Sequence, residues 1–150
     1  MNQYSAIINS LQTSNDKLKT LKKMADKKPK DNAATLYIII RNDLDSMNPG
    51  KAAAQAAHAS SLFTLWGEKS NNSHYNHWKS TLGFGRTITL KASISDIKSV
   101  MGRATNINSG IVLDPTYPIQ DGTTKLYIPL ETCGYFFTTS NSLSEIFERL

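Results

Sequence analysis

Cysteine is nearly missing from this chain: its 150 residues hold one, Cys133. A single thiol cannot close an internal disulfide, and it rules out a zinc site built on several thiolates. The composition therefore predicts a reducing compartment, the cytoplasm. Long apolar runs are missing as well. Nothing approaches the roughly 18 apolar residues of a membrane span, and the first residues lack the basic flank and apolar core of a secretion signal, so a soluble, unprocessed protein is expected. Acids are scarce relative to bases: 12 Asp and Glu stand against 17 Lys and Arg, a formal net charge of +5. That excess favours an anionic partner, with nucleic acid first.

What is present can carry a fold unaided. A chain of this length hides roughly 70% of its unfolded surface, so neither disulfide nor structural metal is required. The positive charge is concentrated at the start, where seven lysines (17, 19, 22, 23, 27, 28 and 30) accompany one acid, Asp26. Within this arm Ile7, Leu11, Leu18 and Leu21 recur at helical spacing, which predicts a basic helical extension over residues 1–34, ended by Pro29 and the polar residues after it. Such a run is either a solvated helix or a surface for phosphates, whose contacts are sequence-blind.

The texture changes at Thr35. Thr35 to Arg41 is a β-branched apolar run suited to the middle of a sheet. A turn-rich loop to Gly50 and an alanine-dense helix from Lys51 to Trp66 follow. Arg86 to Lys91 alternates as a strand, Ser93 caps a second helix, and Ile111 to Leu113 forms a short strand ending in Asp114. Cys133 to Phe137 reads as another strand, and Ser142 caps a final helix. Strands separated by helices predict a three-layer α/β/α domain over residues 35–150, with a mixed, mostly parallel sheet of about four strands. In such sheets functional groups gather beyond the strands' carboxyl ends, here in the loop 42–50 and in the segment after Leu113.

Gly50 leaves the backbone open at the start of the alanine-rich helix. Lys51, Gln55 and His58, spaced four and three apart, share one face. A helix start also offers free amide donors and a positive dipole end, suited to a phosphate or an ester oxyanion. The residues fit either structural use or anion binding. They are not a phosphate-binding loop of the Gly-x-x-x-x-Gly-Lys-Ser/Thr kind.

These residues resemble the Pth2-type peptidyl-tRNA hydrolases of archaea and eukaryotes. That family's pattern is a hydrophobic strand, then Arg-x-Asp-Leu, then Met-x-x-Gly-Lys-x-Ala-Ala-Gln-x-x-His-Ala. Arg41-Asn42-Asp43-Leu44 matches the first block, and Met47, Gly50, Lys51, Ala53, Ala54, Gln55, His58 and Ala59 match the second. Asp114 resembles the aspartate after the family's third strand, with Asp121 as a competing match. The chain departs from the pattern at Pro49, where the family usually has a lysine, in one residue added before Met47, and across 114–131. It is identified as a divergent member.

The resemblance implies hydrolysis of the ester between a peptide and tRNA, with no cofactor and no metal. In that reading Lys51 supplies charge near the oxyanion, Asp114 orients water or holds Lys51, and Gln55 donates a hydrogen bond to the substrate or the same water. Cations for tRNA come from the Gly50 helix start, Arg86, Lys91, Lys22 and Lys23, and a homodimer is a candidate assembly. Two rivals remain open at this stage: a binding module that kept the fold without the chemistry, and a nucleotide-binding or transferase domain sharing only the architecture.

Other residues have plainer readings. His58, among alanines on a helix facing a sheet, is expected to be buried and hydrogen-bonded, and Cys133 to be a core residue. Trp78 is expected to anchor its loop to the core, although aromatics beside cations can also stack on single-stranded bases. His74 and His77, three apart, lack an obvious third metal ligand.

Overall fold

The computed structural model describes residues 34–139 and, before them, Lys19 alone. The expected N-terminal basic helix, apart from Lys19, and the expected final helix from Ser142 lie outside the described residues. The described elements are β1 (Thr35–Arg41), α1 (Pro49–Ser70), α2 (Ser73–Ser80), a 3-10 turn (Thr81–Gly83), β2 (Thr87–Ala92), α3 (Ile94–Arg103), β3 (Asn108–Asp121) and β4 (Thr124–Thr138).

The unbroken apolar run of β1 is explained by helices on both of its faces. Leu36, Ile38 and Ile40 point into one cluster with Ala59 and Phe63 of α1 and with Tyr75 and Trp78 of α2. Ile39, between them, points to the other face and meets Ala92 and Ile97. The domain therefore has the expected three layers. In α1 the buried positions are Gln55, Ala59, Phe63 and Gly67, a stripe at intervals of four that runs along one side of the helix. Gly67 lies so close to α2 that a Cβ there would fall 2.2 Å from the Tyr75 ring. Phe63 is the hub of an aromatic cluster, with ring centroids 4.8 Å from Phe137, 5.0 Å from Trp78 and 5.4 Å from Tyr75. Trp78 is buried as expected, its indole N–H donating to the Arg86 carbonyl at 2.7 Å.

The four strands lie in the order β2-β1-β4-β3. The expectation of a mostly parallel sheet is corrected here: only β1 and β2 are parallel, while β1–β4 and β3–β4 are antiparallel. The cause is local. β3 and β4 follow one another through a two-residue turn in which Gly122 takes φ +59°, and a hairpin can only be antiparallel. The same hairpin lengthens two expected strands: the short one over Ile111 to Leu113 runs on to Asp121, and the one expected from Cys133 begins at Thr124. β4 pairs with β1 over Cys133–Thr138, so among the described residues the earlier part of β4 has only β3 as a neighbour and the two continue beyond the sheet as a ribbon. Prolines 115, 118 and 129 suggest a loop, but they sit where a missing N–H is tolerated. Pro115 falls in the irregularity between Asp114 and Tyr117, Pro118 is on the edge strand, and Pro129 is on the stretch of β4 that β1 does not reach.

The described residues 34–139 fall within one compact unit. Among the described residues no helix is long and apolar enough to cross a membrane.

Candidate active site

The base of the ribbon and the first turns of α1 meet beyond the carboxyl end of β1. Gln55 and Thr132 are the buried polar residues at this junction, 3% and 0% exposed; Gln55 makes the wider set of contacts. Its Nε2 donates to Asp114 Oδ2 at 2.7 Å, and its Oε1 accepts from the Thr132 hydroxyl at 2.5 Å. Its backbone carbonyl accepts from Cys133 Sγ at 3.4 Å. The amide thus links α1 to both strands of the ribbon, with every bond running one way: Thr132 to Gln55 to Asp114. The irregularity after Asp114 lets the Thr116 amide turn back and donate to Asp114 Oδ1 at 2.9 Å.

Burial, the largest single influence on Asp114, pushes its carboxyl up. The Gln55 amide, the Thr116 amide and the charge of His58 together outweigh it and hold the group below the ordinary 3.8. Asp114 is therefore a carboxylate at neutral pH, half-buried, with its protein partners already in place.

Lys51 is delivered by the start of α1. Asn48 caps that helix, its side-chain oxygen accepting from the Lys51 amide at 2.9 Å, and Pro49 occupies the first turn, where its missing N–H costs nothing. The Lys51 ammonium donates to the Pro118 carbonyl at 2.7 Å and lies 5.1 Å from the centroid of the buried Tyr117 ring. Among the described residues the ammonium has no second hydrogen-bond acceptor, which leaves two N–H groups for a ligand. The Tyr117 hydroxyl accepts from Ser46 at 3.3 Å and lies 3.8 Å from Met47 Sδ, which ties the ribbon to the loop before α1.

Arg41 and Asp43 form a clip beside this site. The guanidinium donates to both carboxylate oxygens, at 2.8 and 3.2 Å, and to the Glu131 carbonyl at 3.0 Å. Asp43 also accepts from the Ile94 amide at the start of α3, at 3.4 Å. Arg41 is the main reason the Asp43 carboxyl sits below its ordinary value.

The sequence pattern of the peptidyl-tRNA hydrolase PTH2 family matches residues 34–148. The chain belongs to that family. Comparison with individually curated proteins gives no match. The match takes in Lys51, Gln55 and Asp114 and stops short of Lys22 and Lys23, which also lie outside the described residues.

Within this PTH2 domain the expected site residues are distributed unevenly. Asp114, not Asp121, is the aspartate that meets Gln55; Asp121 is at the ribbon's turn, paired with Thr124. Lys51 shares the site but is held by Pro118 rather than by Asp114. Gly50 is exposed in the first turn of α1, and a Cβ there would meet nothing nearer than Asn48 Oδ1 at 3.4 Å, so its contribution is an uncluttered helix start. Lys91 lies at the carboxyl end of β2 opposite Ile40, whereas Arg86 precedes β2, at the opposite end of the sheet.

His58 is not buried as expected: it is exposed, one turn beyond Gln55, with its charge felt at Asp114. Cys133 is a core residue as expected, its thiol pushed up to about 12 by burial and so not a nucleophile at neutral pH. Among the described residues no group of three His, Cys, Asp or Glu side chains is placed to hold a metal.

Two contributors to the site are absent from the expectations drawn from sequence. Asn48, standing before Pro-Gly-Lys, carries a legible capping signal. Thr132 carries none, because it is joined to Gln55 only by the fold.

Proposed function

We propose that this protein is a peptidyl-tRNA hydrolase that cleaves the ester between a peptide, or an N-blocked amino acid, and the terminal ribose of tRNA. The observation that supports this reading is the Gln55–Asp114 hydrogen bond, which fixes a carboxylate against the helix that also carries Lys51, in a PTH2-family domain. Asp114 holds a water against the ester carbon. The water oxygen bonds to that carbon and the carbonyl oxygen takes up negative charge beside the Lys51 ammonium; the carbonyl then re-forms, the bond to the ribose oxygen breaks, and a proton of the added water passes to that oxygen, leaving the peptide acid and the free ribose hydroxyl. A carboxylate held below its ordinary value is a weak base, so Asp114 acts by orientation and charge. Gln55, its amide committed to Asp114 and Thr132, acts through Asp114 rather than on the substrate.

Single-turnover hydrolysis of N-acetylated aminoacyl-tRNA, with a metal chelator present, tests this directly. Wild-type protein should cleave the ester, and Lys51→Ala should be slower by about 10²-fold or more, as for loss of one group stabilising an oxyanion. Tight, salt-sensitive tRNA binding without cleavage would instead identify a binding module that kept the fold.

A further inference from the structure

Around α1 from the Lys51–Asp114 site is a cavity of about 670 Å³, bounded by the carboxyl ends of β1 and β2, the loop 42–48 and the first turn of the helix. Residues 48, 49 and 52 line it, whereas residues 51, 55 and 58 belong to the ribbon side, a rotation of about 100° around the helix. The two sites therefore adjoin across a single helical turn. Ile40, Leu44, Met47 and Pro49 give the cavity an apolar floor; Leu90 also borders it, but its side chain packs on the other face of the sheet with Ile39 and Ile97. Three polar side chains at its margin, the Asn42 amide, the Thr89 hydroxyl and the Lys91 ammonium, make no hydrogen bond or ion pair among the described residues. The other cationic group there, Arg41, is committed to Asp43 and Glu131.

We infer that this cavity is a nucleotide subsite, taking the terminal nucleotide of the tRNA with its base on the apolar floor and its phosphate on Lys91. The inference rests on the proposed function for the source of the nucleotide, but not for its chemistry. An apolar floor ringed by a free amide, a free hydroxyl and a free ammonium matches a base with flat apolar faces, a hydrogen-bonding edge and an attached phosphate. An acyl side chain would use the floor and leave all three polar groups idle. The location agrees with the general placement of ligands outside the carboxyl ends of strands in α/β sheets. It also explains how one substrate reaches both sites, since the ester is carried on the ribose of the nucleotide that fills the cavity.

The test is a titration of the full chain with adenosine 5′-monophosphate at low salt, followed by amide NMR shifts. N-acetylphenylalanine amide serves as the acyl probe. Expected are shifts at Asn42, Leu44, Leu90 and Lys91 with the nucleotide, affinity weakened about tenfold in Lys91→Ala, and binding abolished in Thr89→Trp, an exposed position that would fill the mouth. In hydrolysis the two variants should raise KM with kcat little changed. Nucleotide shifts confined to other residues, a response to the acyl probe alone, or an unchanged KM in Thr89→Trp would each overturn the inference. Hydrolysis without nucleotide binding in the cavity would leave the proposed function standing alone. Nucleotide binding there without hydrolysis would leave the subsite standing alone.

Discussion

Asp114 receives support from three directions: Gln55 from the helix, Thr116 from its own strand and the charge of His58 from one turn further along α1. Its ionisation is set by the fold, and the Thr132 hydroxyl decides which end of the Gln55 amide faces it. Thr132→Val should therefore act at a distance. Without the hydroxyl, Gln55 Oε1 is buried and unpaired, which costs about 1–3 kcal/mol in denaturant-melt stability and frees the amide to turn its oxygen towards the carboxylate. Turnover should fall while tRNA affinity stays, and Thr132→Ser should restore both stability and turnover. Gln55 and Asp114 are named by the family resemblance, Asp114 with Asp121 as a competing match; spacing alone does not pair them. Thr132 is found by neither, because its hydrogen bond spans 77 positions and no local pattern announces it. His58 defies the expectation of burial for a geometric reason: the buried stripe passes through 55 and 59, and a residue one position off that stripe turns outward.

At the scale of elements, α1 is the part that delivers the chemistry, and its first turn hangs on Asn48. Asn48→Ala should lower stability by about 1 kcal/mol in thermal or chemical unfolding and, by loosening the turn that carries Lys51, reduce turnover more than stability alone explains. A variant that loses stability but keeps full turnover would show that Pro118 holds the lysine by itself. Helices α1 and α3 and the central strand are readable because their signals are local: a β-branched run, an alanine-dense stretch, a serine ahead of an apolar face; α2, whose Trp78 is expected on a loop, carries no such signal. The hairpin is hidden because its three prolines imitate a loop, and only its edge position, a property of the assembled sheet, makes them acceptable. Strand direction is hidden for the same reason, since it follows here from the turn at Gly122, which those prolines mask.

For the whole molecule, charge sets two expectations. Asp43 and Asp114 both sit below the ordinary 3.8 in the folded chain, so each stabilises it above that value, and this contribution disappears as pH falls through the lower folded value. Stability measured by denaturant titration should drop below about pH 4. Asp43→Asn should start lower at neutral pH and fall less steeply with acid; an equal slope would mean that the clip does not contribute. The second expectation concerns the seven lysines between positions 17 and 30. Removing residues 1–30 should weaken tRNA binding and flatten its dependence on salt, since every phosphate the protein no longer neutralises subtracts about one unit from the logarithmic slope. An unchanged slope would assign the RNA contacts to residues 34–148. The ribbon has a consequence of a different kind. Two strands that leave their sheet present free outer edges, which in any concentrated solution can recruit a strand from another molecule and seed aggregates. Pro115, Pro118 and Pro129 leave these two strands three backbone donors short, so the residues that disguise the hairpin in the sequence also make it a poorer template for such pairing.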